Sequence, residues 1–249
     1  MRDMENMKHI VQFSGGKDST CMLLMMLEKG MQVDEIIFCD TGMEFPQMYE
    51  HIDKVEQYIG RKVTRLKAEH SFEWYMFEKP KTKGKWQDIR GYGWPRMWQR
   101  WCTRVMKQQV TNKILKEIGT HIMYIGIAYD EPKRHENRKK NHIHPLFDWQ
   151  ITEKQALSIC YKHGFTWGGL YEDFDRVSCW CCPLQGLKSL RVLYHKYPTL
   201  WERLKCMDDK ATYKFRPDYS VQQLEEKFKR EDYLKKISIP LFTVNTDNL

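Results

Sequence analysis

The stretch His9-Ile10-Val11-Gln12-Phe13-Ser14-Gly15-Gly16-Lys17-Asp18-Ser19 decides the fold. Its first five residues make a short β-prone run. A helix is expected from about Asp18 to Lys29, with Cys21, Leu24 and Met25 at i, i+3, i+4 on one face and Gly30 as its stop. Between them, the loop Ser14 to Ser19 has the composition of an anion cradle. Two glycines let the backbone take positive φ and come close to a ligand. The free N–H groups of the turn and of the helix start converge on the same point. Ser14 and Ser19 supply hydroxyl donors, and Lys17 supplies a point charge for phosphates. The longer Gly-x4-Gly-Lys-Ser/Thr loop is absent. The rival reading, an ordinary strand-to-helix turn, fits the flanking strand and helix less well.

Outward from this loop, Glu35-Ile36-Ile37-Phe38-Cys39 is a second strand, apolar enough for a sheet covered on both faces. Pro46 opens the next helix, and Lys62 to Leu66 makes a third strand. Strand and helix alternating at this spacing predict an α/β fold with a doubly wound, Rossmann-like parallel sheet. A helix from about Thr103 to Ile118 leads into a buried strand, Ile122 to Ile127, then a basic loop, Glu131 to Asn141. Thr152-Glu153-Lys154-Gln155 starts a helix and fits a capping box only with Thr152 one residue past the cap. Later helices begin at Pro198 and run over about Val221 to Lys236. A nucleotide-binding domain over 1–150 and a C-terminal helical, cysteine-containing lobe over 151–249 are expected.

At 249 residues, 41% apolar and 13% aromatic, the chain can bury a core and is not disordered. Its net charge of +8 suits an anionic partner, either nucleic acid or a polyphosphate nucleotide. Apolar stretches such as Met22 to Leu27 are too short for a bilayer, so no membrane partner is expected. Met1 to Asn6 has no apolar signal core, and a cytoplasmic location follows as an expectation. Eight cysteines in that compartment read as thiols or metal ligands rather than disulfides. Cys179 and Cys182 have the C-x-x-C spacing of a metal or cluster site, with Pro183 directly after. Cys181 adjoins Cys182, and adjacent side chains diverge, so the two are poorly placed to share one centre. Cys21, Cys39 and Cys160 lie in apolar runs and read as core.

The Ser14–Ser19 string resembles the PP-loop of the adenine nucleotide α-hydrolase-like superfamily. That group holds ATP pyrophosphatases, tRNA thiolation enzymes and phosphoadenosine phosphosulfate (PAPS) reductases. Further segments resemble the PAPS reductase family: Cys39-Asp40-Thr41-Gly42-Met43-Glu44-Phe45-Pro46, Trp101-Cys102-Thr103-Arg104-Val105-Met106-Lys107 and Gly126-Ile127-Ala128-Tyr129-Asp130-Glu131-Pro132-Lys133-Arg134. Pro145 to Trp149 and Gly169-Leu170-Tyr171 complete a resemblance spanning about residues 9 to 205.

The resemblance implies a nucleotide site of Ser14, Gly15, Gly16, Lys17, Asp18, Ser19, Asp40, Thr41 and Gly126, for ATP or PAPS with Mg. It implies catalytic roles for Lys17, Asp18, Arg104, Lys107 and Arg134, the last three facing the anionic end of the substrate. It also brings Cys102 near Cys179 and Cys182 as a third metal ligand, with Cys181, Cys206 or an exogenous group as fourth. A 4Fe–4S cluster with one open iron suits sulfur chemistry; zinc, or reduced thiols without metal, are the alternatives.

Two departures stand out. The chain ends Leu241 to Leu249 with no cysteine after Cys206, where thioredoxin-dependent members resemble one another in a Glu-Cys-Gly-Leu-His segment. Cys102 also stands alone where cluster-containing members pair two adjacent cysteines.

Residues 79 to 107 hold nine Lys or Arg against one acid, Asp88, interleaved with Trp86, Tyr92, Trp94, Trp98 and Trp101. Such a segment can grip a polynucleotide, tRNA or DNA, by charge and stacking. Alternatively, Trp94, Trp98 and Trp101 form the i, i+4, i+7 stripe of a buried helix face. Three functions remain in play. One is nucleotide sulfate reduction or sulfur transfer at a cysteine-bound centre. Another is ATP pyrophosphatase chemistry that adenylylates a nucleic acid for thiolation, with a sulfur donor protein as partner. The third is a non-catalytic nucleotide-sensing or nucleic-acid-binding subunit.

Overall fold

The computed structural model describes residues 7–82, 89–177 and 179–237. Expectations placed on Met1 to Asn6, on Lys83, Lys85, Trp86 and Asp88, and on Leu241 to Leu249 lie outside the described residues.

Among the described residues, five strands, β1 (Lys8–Gln12), β2 (Glu35–Asp40), β3 (Thr64–Lys67), β4 (His121–Ile125) and β5 (His142–Ile143), pair in parallel in the order β3-β2-β1-β4-β5. The chain winds outward from β1 in one direction, then returns to β1 and winds outward in the other. This is the doubly wound α/β sheet expected, and its switch point, where ligand crevices open at the carboxyl ends of strands, lies between β1 and β4. Neighbouring Ile10 and Val11 are both fully buried, so β1 is covered on both faces. On one face Ile10, Ile37 and Met123 form a cluster against which Leu115 and Ile118 pack.

Among the described residues, ten α-helices surround these strands or follow them in sequence: α1 (Lys17–Glu28), α2 (Pro46–Ile59), α3 (Val110–Ile118), α4 (Pro132–Glu136), α5 (Pro145–Asp148), α6 (Glu153–Lys162), α7 (Leu170–Asp173), α8 (Leu187–Lys196), α9 (Pro198–Lys210) and α10 (Val221–Ile237). Cys21, Met22, Leu23, Leu24 and Met26 of α1 are all buried, so that helix is enclosed almost all round rather than on the one face expected. Each fully buried Leu or Met of this kind is worth about 1.5–3 kcal/mol.

Three local expectations are corrected. Thr152 is itself the cap of α6, its side chain accepting from Gln155 N–H while the Gln155 side chain accepts from Thr152 N–H, so the box closes without a shift. The helix expected over 103–118 begins as a π-helix, Thr103–Gln109, before α3. The tryptophan stripe does not form. Arg96 and Gln99 exchange backbone hydrogen bonds across a tight turn, burying Trp94 and Trp101 and leaving Trp98 94% exposed.

The chain divides into compact units Met1–Cys182 and Pro183–Leu249. The second unit packs Leu190, Leu193, Trp201, Leu204, Val221, Leu224 and Phe228 of α8, α9 and α10 together. Among the described residues, no helix is long and apolar enough to cross a membrane.

Candidate functional site

The loop after β1 is braced from every side. Gly15 has φ +76°, and a side chain there would meet Met48 Sδ at 2.6 Å. Its carbonyl accepts from Trp167 Nε1–H at 2.7 Å. Ser14 N–H donates to Ser19 Oγ at 3.1 Å, and Ser19 Oγ–H donates to Gly16 O at 3.0 Å. No side chain caps α1, so its early N–H groups have the orphan geometry that suits an anion. One of them, Lys17 N–H, donates to Tyr171 Oη at 2.8 Å. At the switch point, Gly126 follows β4, where a Cβ would stand 2.8 Å from Ser19 N and 2.9 Å from Asp18 C. Only glycine lets β4 end this close to the start of α1.

Lys17 turns its ammonium to carboxylates. Nζ donates to both Asp18 oxygens at 2.9 and 3.0 Å and to Glu153 Oε2 at 2.9 Å. Burial works against the ammonium, but Asp18 and Glu153 outweigh it and its pKa is raised. Burial raises the Asp18 pKa; Lys17 opposes this, while Glu153 and Glu131 add to it. Arg134, on α4, pairs with Glu131.

A second group of residues gathers at the carboxyl end of β2. Asp40 accepts from Gly42 N–H at 2.9 Å and Tyr49 Oη–H at 2.8 Å, with Lys67 Nζ 3.4 Å away. Asp40, Thr41, Lys67, His70, Phe72 and Met106 border a cavity of ≈ 310 Å³. Beside it, Thr41 Oγ1–H donates to Glu44 Oε1 at 3.2 Å, and Cys179 Sγ–H to the same oxygen at 3.5 Å. Lys107 Nζ lies 3.8 Å from Glu44 Oε1. Burial disfavours the Lys107 ammonium, yet Glu44 and the sulfurs of Cys179, Cys39 and Cys102 reverse this and raise its pKa. Burial pushes the Cys179 thiol up, Glu44 and Cys182 push the same way, and Lys107 opposes them. Cys181, 1% exposed, is raised by burial and by Cys179, Cys182, Glu44 and Cys102.

Cys102, Cys179, Cys181 and Cys182 thus share one electrostatic neighbourhood. Among the described residues, no three His, Cys, Asp or Glu side chains are close-set enough for a single metal ion. Cys21, Cys39 and Cys160 are buried, as expected of core thiols. Cys206 is exposed, on α9 of the second unit.

Arg104, Lys107 and Arg134 do not converge on one partner. Arg104 is exposed on the π-helix, Lys107 faces Glu44 among the thiols, and Arg134 pairs with Glu131 after β4. Sequence reasoning missed Glu44, Glu153 and Tyr171 as members of the two groups. Glu44 had a signal, an acid set among residues that fold into the core. Glu153 stood in the Thr152–Gln155 helix start and Tyr171 in the Gly169-Leu170-Tyr171 match, but only the tertiary fold brings them to Lys17.

The sequence profile of the phosphoadenosine phosphosulfate reductase domain matches residues 8–185, and the chain belongs to this family. An uncharacterized protein of Methanocaldococcus jannaschii is 26% identical over 215 residues, 78% of this chain and 40% of that protein. The phosphoadenosine 5'-phosphosulfate reductase of Cronobacter sakazakii is 24% identical over 151 residues, 55% of each chain. The chain spans 40% and 45% of the length of the first two curated relatives it matches. Among solved structures, the phosphoadenylyl-sulfate reductase of Candida auris in its phosphate complex aligns with TM-score 0.48 at 18% identity, over 69% of this chain and 81% of that one. The U34-tRNA thiolase of Methanococcus maripaludis with its 4Fe–4S cluster aligns with TM-score 0.43 at 16% identity, over 91% and 72%.

Proposed function

We propose that this chain binds an adenine nucleotide, ATP or PAPS with Mg, at residues 14–19 and carries out sulfur chemistry at Cys102, Cys179 and Cys182. The observation that carries this reading is the junction at the end of β2. Asp40 and Thr41 border the cavity, Thr41 and Glu44 contact Cys179, and the loop stands at the end of the adjacent strand β1. Nucleotide and sulfur would then meet at one sheet edge. In this reading the loop amides and Lys17 hold the phosphates, Lys17 exchanging carboxylate partners for phosphate oxygens. Asp40 and Thr41 orient the nucleoside, and Glu44 holds the Cys179 proton. Lys107 stabilises thiolate charge at the cysteines.

The donor set fits an iron–sulfur cluster. Cys102, Cys179 and Cys182 all act electrostatically on Cys181, and thiols are soft ligands of the kind such a cluster takes. Cys102, Cys179 and Cys182 would hold it, and it would supply an iron-bound position for sulfur and a reservoir for electrons.

Anaerobically purified protein is expected to be brown, with near-stoichiometric iron and sulfide. Cys102→Ser, Cys179→Ser and Cys182→Ser should each lose most of the iron, while Cys21→Ser keeps it. Retention of iron by Cys181→Ser would exclude it as a ligand. Colourless protein carrying zinc and no sulfide would refute the cluster.

A second reading, ATP-dependent adenylylation of tRNA or DNA for thiolation, is favoured by one observation. Trp98 is 94% exposed at a tight turn between Arg96 and Arg100, where a flat ring beside two cations suits a base-stacking platform. Product analysis separates the two. Reduction of a nucleotide sulfate consumes two electrons and releases sulfite, whereas adenylylation releases pyrophosphate from ATP. Nucleotide binding with neither product would leave a sensing subunit.

A further inference from the structure

Residues 167–174 reach the loop at residues 14–19, and residues 179–182, a few positions on, reach the end of β2. At the loop, Trp167 Nε1–H donates to Gly15 O at 2.7 Å, and Lys17 N–H donates to Tyr171 Oη at 2.8 Å. Beyond β2, Trp180 N–H donates to Met43 O at 3.1 Å, and Cys179 Sγ–H to Glu44 Oε1 at 3.5 Å. Phe174, 2% exposed, bridges the two places by packing its ring on Phe45 at 5.1 Å.

Near the loop the backbone takes an unusual course. Trp167, Gly168 and Gly169 have φ of +51°, +58° and +86° in succession. Glycine adopts this region freely, but a bulky residue does not, so its neighbours must hold Trp167 there. Gly15 O takes its Nε1–H, His51 stacks on its ring at 4.2 Å, and Tyr171 meets the ring edge-on at 4.8 Å. A turn kept in place by the loop is one that a change at the loop can move.

Tyr171 is the contact that a ligand would disturb. Its hydroxyl occupies one of the early amides of α1 and lies 3.2 Å from where a Gly16 Cβ would stand. A phosphate oxygen in the loop would take that same amide. One N–H carries one proton to share, so phosphate and phenol compete for it. Burial raises the Tyr171 pKa, Lys17 N–H opposes this, and Asp18, Cys160 and Glu153 add to the rise. The group is therefore a neutral phenol with its own proton to give. Displaced from the amide, it can donate that proton to the oxygen that displaced it.

We propose that Tyr171 is a positioning residue that couples the loop to the cysteines. Its hydroxyl accepts from Lys17 N–H in the empty loop and donates to a phosphate oxygen in the filled one. Helix α7, moving with it, tightens Phe174 on Phe45 and with it the hold of residues 43–45 on Cys179 and Trp180. The coupling rests on the reading that residues 14–19 hold phosphate, and it orders the cysteine segment only when nucleotide is in place.

The test uses the anaerobically purified full chain, with MgATP and magnesium pyrophosphate as probes. Calorimetry on wild type and Lys17→Ala comes first. No binding, or equal binding by both, overturns the loop reading and the coupling with it. Where Lys17→Ala binds more weakly, two measurements read the coupling alone. In protein carrying 3-fluorotyrosine, the fluorine signal of Tyr171, assigned by its absence from Tyr171→Phe, should move as either probe fills the loop. Hydrogen exchange of the peptide around Trp180, followed by mass spectrometry, should slow about fivefold or more with either probe in wild type. In Tyr171→Phe, which keeps the ring, the probes should leave that exchange unchanged. An unmoved fluorine signal in a filled loop would overturn the coupling and leave the loop reading standing. So would a Tyr171→Phe protein that binds the probes and keeps the wild-type slowing, the result a merely packing role for the ring requires.

Discussion

Lys17 is held by two carboxylates of unequal exposure, and its variants separate binding from bracing. Lys17→Ala removes a charge-assisted contact to phosphate, and nucleotide affinity should fall by about 1.5–3 kcal/mol in calorimetry. Glu153→Gln does the reverse. It removes a competitor for the same ammonium, and because the Glu153 side chain is 42% exposed the pairing is screened. Nucleotide affinity should rise by no more than about fivefold, and a fall would mean that Glu153 itself serves the ligand. Gly126→Ala tests close approach instead. Its Cβ would press on the backbone of Asp18 and Ser19, which cannot yield as a side-chain tip could. A loss of about 1–3 kcal/mol of unfolding free energy is expected in urea titrations, with weaker nucleotide binding besides. At this scale the sequence was readable where chemistry is local. The loop Ser14–Ser19 was marked by its own residues, whereas Tyr171 stood in the Gly169-Leu170-Tyr171 match with nothing to pair it to the Lys17 amide 154 positions away.

The long periodic elements were legible, and the helices whose shape depends on their surroundings were not. Strands β1, β2 and β4 and helices α2, α9 and α10 lie close to where apolar runs and prolines placed them. The π-helix at Thr103–Gln109 carries the same residues as an α-helix would, and only packing distinguishes the two. Trp94, Trp98 and Trp101 misled for the opposite reason: their spacing imitates a helix, while Trp101 Nε1–H is spent on Gly93 O at 3.0 Å inside an irregular loop. The contact between α1 and α2 carries a pH prediction. His51 Nε2 meets Thr20 Oγ1 at 3.0 Å, its ring stacks on Trp167, and burial, then Lys54, hold its pKa down to about 3. Above its ordinary value near 6.5, both folded and unfolded chains hold it neutral. As pH falls from 6.5 towards 3, only the unfolded chain takes the proton, so stability drops by about 1.4 kcal/mol per pH unit. His51→Gln, which can keep the bond to Thr20, should lose about 2 kcal/mol less than wild type between pH 7 and 5 in urea titrations. Parallel losses in the two proteins would rule out His51 as the titrating group.

For the molecule as a whole, a net charge of +8 predicts how a polyanion would bind. If Trp98 stacks on a base, Trp98→Ala should weaken single-stranded oligonucleotide binding by about 1–3 kcal/mol and leave its salt slope unchanged, because slope counts phosphates and not bases. Arg100→Gln should flatten the slope instead. Undetectable oligonucleotide binding at low salt would leave the turn without this role. The sheet order has one more consequence, for synthesis. β1 is the central strand, yet its second neighbour, β4, begins about 110 residues after β1 ends. At about 5–20 residues per second, a nascent chain carries β1 with one unpaired edge for roughly 5–20 s. Gly126, which closes the back of the loop at residues 14–19, leaves the ribosome later still. The loop is therefore translated well before the strand that completes its surroundings, and a stalled ribosome would display β1 with a bare edge.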